Sequence, residues 1–159
     1  MYKRQGISLG GDRFFYVNPL ESKGDHHRQE WYGCACCPSQ LSRFLPSIGN
    51  YIYASSDDAL WVNLYIGNTG QIRIGETDIL LTQETDYPWD GSVKLTISTS
   101  QPLEKEIRLR IPNWCKTYDL SINGKRINVS EEKGYAVIKD WKSQDVICLL
   151  YTSDAADDL

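Results

Sequence analysis

The chain has 159 residues, 41% of them hydrophobic, and its 17 Lys and Arg against 21 Asp and Glu give a net charge of −4. This mild acidic excess argues against nucleic acid or an anionic membrane surface as a partner. No apolar run approaches the ~18–20 residues that cross a bilayer, so a soluble protein is expected.

The two ends stand apart from the rest. Residues 2–5 can be encoded by TAT-AAG-AGA-CAG, and residues 148–153 by TGT-CTC-TTA-TAC-ACA-TCT. Both strings resemble the inverted ends of a transposase sequencing adapter, and the Asp-Ala-Ala-Asp of 154–157 continues it. Residues 1–5 and 148–159 are therefore expected to be adapter-derived and to make few contacts. One exception is expected: the apolar residues 148–151 can occupy a strand position. The remainder divides into 6–57, the end of one domain, and 58–147, a second.

In chain order, "RFFYVNPL" (13–20) reads as a strand running into the polar loop "ESKGDHHRQEW". A short helix follows over 38–48, with Pro38 at its first position and Leu41, Phe44, Leu45 and Ile48 at helical spacing. Pro46 should kink or shorten it, and Gly49 can close it. One helix and one strand bury little, so this part reads as the trailing edge of a larger helical domain.

From Gly49 onward the period is two. "YIYA" (51–54), "LWVNLYI" (60–66), "QIRI" (71–74), "DILLTQ" (78–83), "VKLTIST" (93–99), "IRLRI" (107–111), "DLSIN" (119–123) and "YAVIK" (135–139) are predicted strands. In "LWVNLYI", Leu60, Val62, Leu64 and Ile66 share one face, and Trp61, Asn63 and Tyr65 the other. Turn signals separate the strands: Asn68-Thr69-Gly70, Asp90-Gly91, Asn123-Gly124 and Lys133-Gly134. Asn-Gly in "SINGKRIN" suits a type I′ hairpin. The expectation is a mainly β chain, an antiparallel β-sandwich over about 58–147, with Val93, Leu95, Ile97, Ile107, Leu109 and Ile111 buried.

The cysteines carry the chemistry. Outside the tail the chain has Cys34, Cys36, Cys37 and Cys115. Adjacent Cys36 and Cys37 cannot readily bridge each other, so clustering favours a metal or a reactive thiol over a disulfide framework. At a helix N-terminus, unpaired N–H groups and the helix dipole stabilise a thiolate. Zinc would deprotonate such thiols outright. The plain alternative is small residues buried in a tight turn. Trp31 and Tyr32 could wall such a site, and His26 and His27 could add ligands, although a histidine pair in a Gly-Asp loop is more often solvated. The spacing H-H-x6-C-x-C-C fits no common zinc-finger pattern, so missing ligands are expected outside this chain.

The stretches "FFYVNPL", "RxxWYGCACCPSQLSRFLPSIGNYIY", "LWVNLYIGN", "TDYPWDG" and "LRIPNW" together resemble the β-L-arabinofuranosidases of glycoside hydrolase family 127. The resemblance covers nearly all of 13–147; the Cys-Cys-Pro stretch and "TDYPWDG" are its specific parts. It implies that 6–57 is the last strand and helix segment of an (α/α)6 catalytic barrel and that 58–147 is the following β-sandwich. It also implies a retaining hydrolase of β-L-arabinofuranosides, whose glycoside or oligosaccharide substrate meets a zinc-bound cysteine nucleophile. Carried over by motif, Cys36 is the catalytic nucleophile and a zinc ligand, and Cys37 a second zinc ligand. A Glu and a Cys that complete the zinc site, and a Glu general acid/base, are expected upstream of this chain, which should be inactive by itself. Glu21 and Glu30 match none of those positions, and Cys34 has no assigned role. A bacterial cytoplasmic or periplasmic location is expected.

Two other readings remain. Trp61, Tyr65, Tyr87, Trp89, Trp114 and Trp141 could make the sandwich a carbohydrate-binding module, if two or three formed an exposed coplanar row. The C-x-C-C cluster could instead belong to a zinc-binding or redox protein, if His26 or His27 completed a local ligand set.

Overall fold

The computed structural model describes residues 8–15, 23–34, 36–101 and 104–151, without the side chains of 36–39 and 41. The predicted strand over 13–20 thus lies largely outside the described residues. Two compact units divide between Ser47 and Ile48.

In the first unit, α1 runs Cys36–Ser47. It opens two residues before the expected start, so Pro38 is its third residue. A proline is tolerated there because the first four N–H groups have no intrahelical partner. Pro46 is next to last, so its missing N–H falls at the fraying end, where Ser47 Oγ donates to Phe44 O at 2.8 Å. Ahead of the helix, Phe14 and Gln29 form an isolated antiparallel bridge, with N–H···O distances of 2.9 and 3.0 Å.

The second unit begins with a 3₁₀ turn, Ile48–Tyr51, and its described residues form eleven strands in two sheets. One sheet contains β1 (Tyr53–Ser55), β2 (Ala59–Val62), β6 (Glu106–Arg110), β10 (Tyr135–Ile138) and β9 (Ser130–Glu132), in that order. The other contains β3 (Asn68–Ile74), β4 (Thr77–Thr85), β5 (Ser92–Thr99), β11 (Val146–Tyr151), β7 (Tyr118–Ile122) and β8 (Lys125–Arg126). Every pairing is antiparallel except β2 with β6. After β2 the chain builds β3, β4 and β5 in the opposite sheet before returning as β6, and such a crossover allows a parallel neighbour.

One core joins the two sheets. Leu60, Val62, Ile107, Leu109 and Ile138 come from one; Ile79, Leu81, Leu95, Ile97, Ile147 and Leu149 come from the other. All six residues predicted to be buried are buried, Ile111 the least so at 7% exposure. Their alternation along β5 and β6 follows the two-residue period of a strand.

Several local expectations change. The alternation of "LWVNLYI" breaks after Val62: Tyr65 is buried and Ile66 exposed. There Asn63 N donates to Ile52 O and β2 ends, and Tyr65 turns inward to donate from its hydroxyl to Arg110 O at 2.7 Å. Asn68-Thr69-Gly70 is the start of β3, not a turn; the reversal comes at Gly75, which has a φ of 56°. The first strand covers 53–55 rather than 51–54 and pairs with β2. Asn123-Gly124 and Lys133-Gly134 both have positive φ and close two-residue hairpins, as the Asn-Gly signal implied. At Gly91 a Cβ would lie 2.8 Å from Tyr151 O, so the strand end can approach only a glycine. Residues 148–151 complete β11, paired to both β5 and β7 with Leu149 and Tyr151 buried. The apolar alternation of Ile-Cys-Leu-Leu-Tyr suits that central position whatever its origin; residues 152–159 lie outside the description.

Candidate active site

Cys36 and Cys37 are the first two residues of α1. They lie within the first turn itself, where the backbone N–H groups have no intrahelical acceptor and favour a negative charge. The turn carries no acidic residue to oppose such a charge. Their side chains are outside the description, so the site is set by this backbone position and by the segment that leads into it.

That segment is anchored. The Phe14–Gln29 bridge holds the chain just before Trp31. Tyr32 OH donates to Phe14 O at 3.3 Å, and the two rings meet edge-on with centroids 5.2 Å apart. The Arg28 guanidinium sits 4.6 Å over the Phe15 ring. The turn at Gly33 and Cys34 is thereby tied to the "FF" of the preceding stretch, a long-range link that spacing alone does not reveal.

The other candidates sort out plainly. Trp31 is 68% exposed and can wall a site only if something else approaches it. Cys34, His26 and His27 are exposed. Glu30 is exposed and ion-paired to Arg13 at 3.2 Å, which is a solvated surface role. Glu21 lies outside the described residues. Among the residues whose side chains are described, no group of three or more His, Cys, Asp and Glu could hold a metal ion. Cys36 and Cys37 are soft thiols, a donor type that could hold zinc.

Cys115 belongs to a different environment. It is buried, its Sγ–H donates to Thr117 O at 3.1 Å, and burial raises its thiol pKa above the ordinary value. That is an inert packing thiol, not a nucleophile.

The six aromatics proposed as a sugar platform are mostly structural. Trp141 is buried and donates from Nε1 to Lys105 O at 2.6 Å; Trp61 lies under Arg108 at 5.6 Å. Tyr65 and Tyr87 meet at 70°, Tyr65 and Tyr151 at 64°, and Trp114 and Tyr151 at 53°. Tilted rings sharing a cluster are core packing; of the six, Trp89 and Trp114 are exposed. Burial raises the pKa of Tyr65 and Tyr151 well above the usual phenol value.

The sequence matches the β-L-arabinofuranosidase GH127 catalytic domain over residues 5–50 and the GH127 middle domain over 59–152. A non-reducing end β-L-arabinofuranosidase of Bifidobacterium longum subsp. longum is 36% identical over 150 residues, which is 84% of this chain and 22% of that protein. A GH127 β-L-arabinofuranosidase from Geobacillus stearothermophilus T6 superposes with a TM-score of 0.83 at 42% identity, over 92% of this chain and 25% of its own. A second GH127 β-arabinofuranosidase gives 0.80 at 38% identity, over 92% and 26%. The chain thus spans about a quarter of the length of these relatives.

Proposed function

The chain belongs to the GH127 β-L-arabinofuranosidase family of glycoside hydrolases, and from that premise we propose that Cys36 is the nucleophile of a retaining hydrolase of β-L-arabinofuranosides. The observation that carries this reading is the position of Cys36 and Cys37 as the first two residues of α1. The free N–H groups of that turn favour the thiolate at Cys36 Sγ. Cys36 and Cys37 would together hold zinc, and zinc, when bound, supplies the positive charge that keeps both thiols ionised at neutral pH. The remaining ligands would come from the part of the catalytic domain outside this chain.

In the proposed reaction, Cys36 Sγ forms a bond to the anomeric carbon as the bond to the glycosidic oxygen breaks. A carboxylic acid outside this chain protonates the departing oxygen. Water, losing a proton to the same group, then displaces the thiolate and restores the original configuration. Two displacements at one carbon give retention, the outcome that conventional glycosidases reach with a carboxylate nucleophile. Glycosides are the substrate class; with the acid and the remaining ligands proposed to lie outside it, the 159-residue chain alone should not turn over.

The test uses the complete enzyme carrying this sequence. It should hydrolyse a nitrophenyl β-L-arabinofuranoside, bind zinc, and lose turnover with Cys36→Ser while the sandwich melts unchanged. Full activity in that variant, or hydrolysis by the 159-residue chain alone, would refute the assignment.

A further inference from the structure

The chain holds one Asn-Gly pair, Asn123-Gly124, and it forms the two-residue turn between β7 and β8. Asparagine loses its side-chain amide most readily before glycine, which has no Cβ to shield its backbone nitrogen. In that reaction the Gly124 nitrogen gives up its proton to water and bonds to Asn123 Cγ. The Cγ–Nδ2 bond breaks, and Nδ2 takes a proton from water and leaves as ammonia. A second water opens the resulting five-membered imide at either carbonyl, giving aspartate or isoaspartate. One water is consumed and one ammonia released, with no change in oxidation state. Both turn residues are exposed, so by sequence and accessibility the pair should react freely.

The fold opposes it. Both ends of the Asn123 carboxamide are held by the start of β11: Nδ2 donates to Asp145 Oδ1 at 2.8 Å, and Oδ1 accepts from Val146 N at 2.9 Å. The main chain is held as well, because Asn123 N donates to Val146 O at 2.8 Å. Asp145 is itself fixed: its Oδ2 accepts from Lys142 N at 2.7 Å, and its N donates to Lys142 O at 3.1 Å. Closing a ring through Cγ and the Gly124 nitrogen requires the carboxamide to leave both partners. The products do not fit the place it left. A carboxylate at 123 has no N–H for Asp145 and meets it as a second negative charge. Isoaspartate adds a methylene to the main chain of a turn that spans two residues, with φ of 51° and 76°.

We propose that Asn123-Gly124 is a gated deamidation site. It is closed while Asp145 and Val146 hold the carboxamide and reactive when the β7–β8 turn lets go of β11. After reaction the turn cannot re-form these bonds, so a transient opening becomes a permanent change. The co-reactant is water, and nothing in the proposal rests on the role of Cys36.

Peptide mapping by mass spectrometry tests this on the complete enzyme carrying this sequence. It is incubated at one pH and temperature in its native state, unfolded in urea, and as the Asp145→Ala variant. Deamidation at Asn123 should be roughly 10–100-fold slower in the native protein than in urea, the rate equivalent of two ordinary hydrogen bonds. Asp145→Ala, shown to be folded by near-UV circular dichroism, should react faster than the native parent. Asn128, also exposed but followed by Val129, is the internal reference and should react more slowly than Asn123 in urea. The product mimic Asn123→Asp should melt below the parent, and adding Asp145→Asn should recover part of that loss. Equal rates in the native protein and in urea overturn the proposal, as does a folded Asp145→Ala that reacts no faster than the parent. If Asp145→Ala does not fold, the native-to-urea ratio and the Asn123→Asp melt decide: an unchanged melt overturns the one-way step.

Discussion

In residues 8–47, Leu9, Trp31, Phe44 and Leu45 are 48–101% exposed, whereas in residues 48–151 Leu60, Leu95, Ile107 and Leu149 are at 0%. Both stretches are rich in apolar side chains; they differ in whether a second surface is at hand. Each sheet of the sandwich supplies the cover for the other, so the core closes within about a hundred residues. Among the described residues of this stretch, one helix and one isolated bridge offer no second layer, and Phe44 and Leu45 on α1 are exposed. The two cysteines proposed for chemistry thus sit in the stretch whose described apolar side chains are largely exposed.

The largest effect expected to test this contrast is on turnover. Cys36→Ser in the complete enzyme should lower kcat on the order of 10⁴-fold or more, the scale of removing a nucleophile, with an unchanged sandwich melt. Any coupled loss of sandwich stability would show that the two stretches are not independent.

Within the sandwich, Leu109→Ala should cost about 2–5 kcal/mol in urea unfolding followed by tryptophan fluorescence, because Leu109 is fully buried between the sheets. A cost under ~1 kcal/mol would contradict tight packing around Leu109.

Alkali should act on the same stretch. Burial raises the pKa of Tyr65 and Tyr151 and lifts that of Tyr118 to about 12. A phenol whose folded pKa exceeds its unfolded value of about 10 contributes stability that is fully present below pH ~10 and lost as pH rises through the folded value. The Tm of the sandwich should therefore be flat approaching pH 10 and fall above it; a Tm that rises between pH 10 and 12 contradicts the burial of these rings.

Smaller still is the hairpin effect. Gly134 has a φ of 80° and only an ordinary contact, with Ile111 O, 3.7 Å from where a Cβ would stand. Gly134→Ala should cost about 1–2 kcal/mol from backbone strain alone. In the first stretch, Phe44→Ala and Gly33→Ala should change the stability of the 159-residue chain by no more than about 0.5 kcal/mol, since Phe44 is half exposed and nothing lies within 4 Å of a Cβ on Gly33. A larger loss for Phe44→Ala in this chain would show a core in the first stretch that the exposures do not reveal.

The period-two runs from Leu60 onward determined the mainly β fold and its buried face, because alternation is local and every second side chain must point the same way. Val93 to Ile97 and Ile107 to Ile111 could be assigned to the core from the sequence alone, and so could the Asn-Gly and Lys-Gly turns, whose backbone angles few other residues tolerate. Likewise the Cys-Cys-Pro stretch before an amphipathic run was enough to place two thiols at a helix start. Tertiary structure alone decided that Tyr65 turns inward, that Asn68-Thr69-Gly70 is strand rather than turn, and that β2 and β6 lie parallel. It also decided that Tyr87 and Trp114 both pack against Tyr151. Most of these outcomes depend on partners far along the chain, such as Arg110 O for Tyr65 and Tyr151, and no local spacing encodes a contact made across two sheets.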